Sequence, residues 1–268
     1  MIYSLLVFQD NKDASPLIDA LGVALNKLGS KINVTTLDIN AIQNDCSAAL
    51  ELSKRAHAIV YAGDLKNISH SAKTFLARTC AYNQLYACIT RYTNAQNQLD
   101  LRIVCDVAGG LQHGESGFRN NDTFGREAFD TESYSELEIE RALRVAYDVA
   151  MQASRRLTLA NMPSNLATAS LWRKLLADLN EDYPYVSADA IDATTALKLL
   201  VKNPCTLSTI ACNSLIGAHL NAVASAITPC DYAQVVGNTP LALYAYTPSN
   251  DISALLEQIL THSLGGQI

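Results

Sequence analysis

Cysteine is the residue type with the most chemistry on offer in this chain. Its seven thiols are Cys46, Cys80, Cys88, Cys105, Cys205, Cys212 and Cys230. They act as nucleophiles or soft-metal ligands only where spacing or environment gathers and activates them. No two form a C-x-x-C pair, and an odd number leaves no complete disulfide framework. The expectation is reduced thiols in a cytoplasmic protein. Other catalytic patterns are equally sparse. The sequence has no G-x-S-x-G, no H-E-x-x-H, no P-loop and no G-x-G-x-x-G. Four familiar routes to acyl transfer, zinc hydrolysis, phosphate binding and dinucleotide binding are therefore missing. Serine, histidine and aspartate all occur, with no spacing that marks a triad.

The bulk properties exclude further classes. The 268 residues suffice for one large or two small domains with a good-sized core. The net charge is −6 with no basic cluster, which argues against nucleic acid and anionic membrane as partners. No apolar run approaches the roughly 20 residues needed to span a bilayer. The opening MIYSLLVFQDNK lacks a basic segment and a small-residue cleavage site, so it reads as a first strand rather than a signal peptide.

The elements that must position any site alternate along the chain. Strands are expected at 2–8, 32–39, 57–63, 85–90, 101–107, 186–191, 207–212 and 241–246. Helices are expected from Ser15-Pro16, read as N-cap and first helical residue, to near Gly29, through Ala48–Lys54, over 70–82, 133–151, 165–181, 194–202 and 213–227, and over Ile252–Leu264. Such alternation predicts an α/β fold with a mostly parallel sheet. Residues 108–126, AGGLQHGESGFRNNDTFGR, break the rhythm, read in isolation as a surface loop and are longer than a tight connection requires, which favours a protruding functional segment. Ser133 and Glu136 after them read as a capping box, followed by Ile139, Ala142, Leu143, Ala146, Val149 and Ala150 on one helical face.

Several of these segments match one known family in order. VCDVAGGLQHGE resembles a strand and loop usually written V-R-E-x-T-G-G-x-Y-x-G-E. AFDTESYSELEIERALRVAYDVA, TLANMPSNLATASLWRKLLADLNEDYP and ACNSLIGAHLNAVASAI resemble the segments that follow it, and ALELSKRAHAIVYAG is the clearest piece of the first hundred residues. Together they resemble the β-decarboxylating dehydrogenases, which include the isopropylmalate, isocitrate and tartrate dehydrogenases, and most of all the isopropylmalate branch. The resemblance implies a two-domain isopropylmalate dehydrogenase-like α/β fold with a mixed parallel sheet, shortened at the C-terminus. Residues 1–100 and 229–268 would form the larger domain, a reduced cofactor lobe, and 101–228 the smaller one. It also implies a homodimer, with 108–126 as an arm that pairs with the partner subunit's arm and with helices 165–181 and 213–227 packed across the interface. A heteromer with an active paralogue is the second option.

The family oxidises a hydroxy-acid with NAD or NADP while a divalent metal polarises its oxygens. By the resemblance, the two metal-binding aspartates fall at Ala218 and Ala222, with His219 and Asn221 pointing elsewhere around the helix. A third aspartate, given by the partner subunit, falls at Asp192 or Thr194. The substrate arginines fall at Cys80, Thr90 and Cys105, with Arg91 one residue out of register and Arg78 and Arg102 read as surface charges. The proton-moving tyrosine and lysine fall at Gln112 and Leu159, with His113 beside the former. The adenine loop would lie in LALYAYTPSND, where it reads as deleted, and QDNKDASP stands in place of the N-terminal G-D-G-I-G-P-E.

Alanine offers no oxygen to Mg²⁺, and glutamine and leucine carry no proton near neutral pH. The expectation is a catalytically inactive homologue, a pseudoenzyme kept as a dimeric structural or regulatory protein, with no cofactor and no metal. The alternative is an active NAD(P)-linked dehydrogenase with Mg, or a small-molecule-binding protein with a rebuilt site. A third reading is an interaction protein with no pocket. Cys80, Cys88 and Cys105 with His113 could also form a soft-metal cluster, although small buried thiols filling the space of lost arginines is the preferred reading.

Overall fold

Strand β1 (Ile2–Gln9) buries four residues in a row, Leu5, Leu6, Val7 and Phe8. A continuous apolar run of that kind marks a strand covered on both faces. The computed structural model describes residues 2–10, 12–42, 46–63, 68–96, 98–163, 165–246 and 252–264. Their chain divides into two compact units, residues 1–91 with 229–268, and residues 92–228. The sequence reading places the first of these boundaries after residue 100. Strand β4 (Leu85–Asn94) begins in the first unit and ends in the second.

In the first unit the strand order is β2 (Lys31–Asp38), β1, β3 (Ala58–Ala62), β12 (Ala242–Tyr246), β11 (Tyr232–Gly237), β4. The first four run parallel, whereas β11 is antiparallel to both β12 and β4. On one face α2 (Ser47–Arg55) and α3 (His70–Tyr82) supply Ala49, Ala72 and Phe75 to a core with Leu6, Phe8, Ile59 and Tyr61. Phe75 meets Phe8 edge-on at 4.8 Å between centroids. Each such buried side chain is worth about 1.5–3 kcal/mol. Helix α1 (Ser15–Lys27) buries Leu17, Leu21 and Leu25 at helical spacing and packs with α8 (Ile252–Gln258).

The second unit is a fully parallel four-stranded array in the order β5 (Leu99–Asp106), β10 (Thr209–Cys212), β8 (Arg156–Asn161), β9 (Ser187–Asp192). Helix α4 (Glu136–Gln152) packs on β5, β10 and β8 and against α5 (Ala167–Leu179). Helix α6 (Ala193–Lys202) packs against α7 (Ser214–Ile227), which lies on β5. The chain steps from β5 to β8 to β9 through α4 and α5, then returns to β10 through α6. Right-handed crossovers in opposite directions place α4 with α5 on one face and α6 with α7 on the other.

Four local expectations need correction. The capping box of α4 is Ser135 with Glu138, not Ser133 with Glu136: Glu138 N–H donates to Ser135 Oγ at 3.3 Å and Ser135 N–H to Glu138 Oε2 at 2.8 Å. SYSELE holds two overlapping S-x-x-E patterns. Tyr134, set edge-on to Trp172 at 5.4 Å, keeps the chain extended through the first of them. Helix α1 begins at Ser15 with Ala14 as its cap residue, because the Asp13 carboxylate accepts both the Ser15 N–H (2.9 Å) and its hydroxyl (2.7 Å). Residues 108–126 are not an irregular loop but a 3₁₀ turn, Gly110–Gln112, and most of a β-ribbon, β6 (Ser116–Asn121) with β7 (Gly125–Asp130). Asn121 Oδ1 accepts the amides of Thr123 and Phe124 in its turn, and Gly125 takes the left-handed φ of +81° that closes it. The closing helix is α8 followed by a π turn over Ile259–Ser263. Strand β11 was not anticipated, although YAQVVG alternates buried and half-buried residues along its length.

Candidate active site

In the second unit, Cys105 near the end of β5 is buried. The reason lies on α7, where Gly217 comes so close that a methyl added there would stand 2.7 Å from Cys105 Cβ, 3.0 Å from its sulfur and 3.3 Å from Cys212 Sγ. Cys212 is the register neighbour of Cys105 on β10. The volume beside Cys105 is thus taken by a helix backbone and a second thiol. Leu159 in the middle of β8 is 1% exposed, a core residue of the parallel array. Neither position opens on solvent.

Ala218 and Ala222 lie on the outer, exposed face of α7. His219 is exposed beside them, with its Nδ1 2.7 Å from the Leu215 carbonyl, so this nitrogen is engaged with its own helix. Asn221 accepts the Tyr92 hydroxyl at 2.9 Å and donates to the Gly217 carbonyl at 2.9 Å. It fastens α7 to the end of β4. Asp192 closes β9 and stands as the residue before α6, without a side-chain capping bond. Its carboxylate is 59% exposed and 3.5 Å from Arg173, whose Nη2 also donates to the Met162 carbonyl. An ion pair so exposed contributes about 0–1 kcal/mol. Thr194 lies exposed within the first turn of α6. Gln112 and His113 are exposed at the 3₁₀ turn, with His113 Nε2 3.3 Å from the Val107 carbonyl. Arg102 pairs with Asp100 at 3.0 Å.

The first unit holds the remaining candidates. Cys80 lies on α3, and burial pushes its thiol up to about 12, with the Cys88 thiol nearby adding to the shift. A thiol protonated throughout the physiological range is a poor nucleophile and a poor ligand. Thr90 is buried on β4 opposite Ala233, and Arg91 is half-buried opposite Tyr232. Successive strand residues face opposite ways, so Arg91 does not stand where Thr90 does. Arg78 is exposed, 3.7 Å from Cys46 Sγ. Residues 247–251, the second half of LALYAYTPSND, lie outside the described residues.

The donor set does not fit a hard divalent cation at the expected place. Ala218 and Ala222 present methyl groups, and Asp192 already faces a guanidinium. Among the described residues no three His, Cys, Asp or Glu side chains gather in a metal-holding arrangement. At the N-terminus of α1 a built-in carboxylate, Asp13, already takes the amide that an anionic ligand would seek.

Two polar clusters in the second unit escaped the sequence reading. Asp106 ends β5 fully buried. It accepts Gly109 N–H at 2.7 Å and Ala108 N–H at 3.2 Å, with Arg141 at 3.9 Å. Burial raises its pKa, opposed by those amides and by Arg141. The aspartate shapes the turn in which Gly109 and Gly110 lie against the Tyr134 ring, too close for any side chain. The second cluster centres on Glu132. Its Oε1 accepts Asn213 Nδ2 at 2.6 Å and its Oε2 accepts the Thr168 hydroxyl at 2.9 Å. The adjacent pairs D-V-A-G-G and D-T-E-S-Y were the available signals; the partners of Glu132, 36 and 81 residues away, were not.

The comparison that decides kinship is with the isocitrate/isopropylmalate dehydrogenase family, whose sequence pattern matches residues 22–230. The chain belongs to this family. Within it, the 3-isopropylmalate dehydrogenase of Haemophilus influenzae is 30% identical over 141 residues, covering 53% of this chain and 39% of that enzyme. The one from Pseudoalteromonas translucida is 34% identical over 134 residues, covering 50% and 37%. The matches thus span under two-fifths of these curated relatives. The fold extends further. A β-decarboxylating dehydrogenase from Thermococcus kodakarensis superimposes with a TM-score of 0.76 over 98% of this chain and 84% of its own, at 16% identity. The isocitrate dehydrogenase of Methylococcus capsulatus gives 0.71 over 97% and 85%, also at 16%. This isocitrate/isopropylmalate dehydrogenase family member is therefore a mixed α/β protein with a mostly parallel sheet, as expected, and no helix among its described residues is long and apolar enough to cross a membrane.

Proposed function

We propose that this family member is catalytically silent toward hydroxy-acids and serves as a dimeric structural or regulatory protein. The residue types at the assigned positions carry the reading. The place assigned to a carboxylate-gripping arginine is a buried thiol packed against a helix backbone, and the helix positions assigned to metal ligands are methyl groups. A dicarboxylate without its bidentate clamps and its cation has neither affinity nor orientation. NAD(P) and Mg²⁺ belong to the family's chemistry.

Self-association is supported by the ribbon β6–β7. A two-stranded sheet is marginal on its own in water. This one exposes Phe118 (67%) and Phe124 (82%), which a second copy would cover. Helix α7 adds an outer face with no Asp, Glu, Lys or Arg, including Leu215, Ala218 and Ala222. Seven free thiols, one of them the exposed Cys205, suit a reducing compartment such as the cytoplasm. The test is Mg²⁺- or Mn²⁺-dependent reduction of NAD or NADP with isopropylmalate, isocitrate, malate and tartrate. No turnover above the protein-free rate is expected, and clear turnover with any of them refutes the proposal.

A further inference from the structure

Within the second unit, β10 and β8 are neighbours, yet the helices that follow them, α7 and α5, lie on opposite faces. That makes the carboxyl ends of β10 and β8 a topological switch point, the crevice where open α/β sheets receive ligands. Here a side chain of the chain itself occupies it. Glu132 reaches from the segment that follows the ribbon and bonds the residue before α7, Asn213, and the first turn of α5, at Thr168. Asn213 is 7% exposed, and its Oδ1 simultaneously caps α7 by accepting Ile216 N–H at 2.9 Å. One carboxylate thus sits at two helix N-termini, where both dipoles favour it.

The backbone around Glu132 is tied as firmly to the base of the ribbon. Thr131 N–H donates to the Glu115 carbonyl at 2.8 Å and Gly110 N–H to the Ser133 carbonyl at 3.2 Å. The Thr131 carbonyl lies so close over Gly114 that an added methyl would stand 1.7 Å from it. The ribbon's two strands enter and leave through residues 115 and 131, so whatever holds 131–133 sets the direction in which the ribbon projects.

We propose that Glu132 is a positioning latch that locks the ribbon β6–β7 to α5 and α7 and makes these three elements one rigid surface. Its consequence for assembly rests on the homodimer reading above, since the same ribbon and helices would form that contact. A ribbon fixed in one direction presents Phe118 and Phe124 without ordering cost at the moment of association.

Hydrogen exchange on the intact protein tests this. Glu132→Ala removes both charge-assisted bonds, and the amides of 116–130 are expected to exchange roughly tenfold faster or more, while those of β8 and β10 keep the wild-type rate. Thr168→Val removes one bond and leaves the other, so a smaller change in the same segment is expected. Glu132→Gln retains an acceptor for Asn213 without the charge, so an acceleration smaller than in Glu132→Ala is expected. Unchanged ribbon exchange in Glu132→Ala overturns the latch, and so does equal acceleration across the whole unit, which marks general loss of stability. Sedimentation separates the two ideas. A monomeric wild-type protein removes the dimer reading, whereas the exchange pattern decides the latch either way.

Discussion

The contact between Gly217 and Cys105 measures how tightly α7 packs on β5 at the position that the resemblance assigns to a substrate-gripping arginine. Alanine in a helix is ordinarily better than glycine by about 1 kcal/mol. At Gly217 the added methyl meets Cys105 Cβ, which belongs to a sheet strand and cannot swing away. Gly217→Ala is therefore expected to lower stability by about 1–3 kcal/mol despite its helix preference, read as a shift in the urea midpoint at constant slope. Cys105→Ala removes the sulfur but keeps the Cβ that the methyl strikes. The double mutant should then recover little, with a coupling energy below about 0.5 kcal/mol. A neutral or stabilising Gly217→Ala would mean that the space beside Cys105 is open.

Helix α4 shows at the element scale how a local signal is read once neighbours are present. The capping box at Ser135 and Glu138 joins it to the segment returning from the ribbon. Ser135→Ala is expected to cost about 1 kcal/mol at neutral pH by thermal melting. The Glu138 carboxyl is held below its usual 4.5, first by the Ser135 backbone N–H, then against a desolvation cost, and further by the Ser135 hydroxyl, Arg141 and His113. A depressed folded-state pKa means that this stabilisation is complete above about 4.5 and disappears as pH falls through the lower, folded value. Glu138→Gln keeps the capping geometry without the charge, so its stability should decline less than the wild type's between pH 4.5 and the acid limit. An unaltered acid limb would show that Glu138 titrates normally.

At the scale of the whole molecule, the first unit carries a half-buried histidine whose protonation opposes folding. His262 lies in the π turn after α8, and its Nε2 has no hydrogen-bond partner among the described residues. Burial lowers its pKa below 6.5. The unfolded chain therefore takes up this proton first, so the contribution is whole above 6.5 and is lost progressively as pH falls below it. Exchange of the β12 and 252–264 amides should quicken on going from pH 7 to pH 5.5, after correction for the intrinsic rate. In His262→Gln that dependence should vanish, and its persistence would assign the effect to another group. Kinship and the order of elements hold for the molecule as a whole, since the family pattern and the superposition each extend over most of the chain.

What the amino-acid order determined by itself was whatever is periodic or contiguous. Alternating apolar runs disclosed the parallel strands other than β8, the 3.6-residue spacing disclosed α4 and α7, and matching segments disclosed the family. The positions that the resemblance assigns to proton transfer and metal binding, Leu159, Gln112, Ala218 and Ala222, were legible as residue types: leucine and glutamine carry no mobile proton near neutral pH, and alanine has no oxygen donor for a metal. Tertiary structure alone decided which of them are buried, as Leu159 is, and which are exposed, as the other three are. Cys105 is sealed by a glycine more than a hundred residues away, and that contact depends on the register of β5 with β10 and on the height of α7 above them. It also decided which of two overlapping capping boxes is used, since Tyr134 must first find Trp172. Glu132 is the same lesson for a polar group. Nothing local distinguishes it from other exposed glutamates until the chain brings two helix N-termini to its carboxylate.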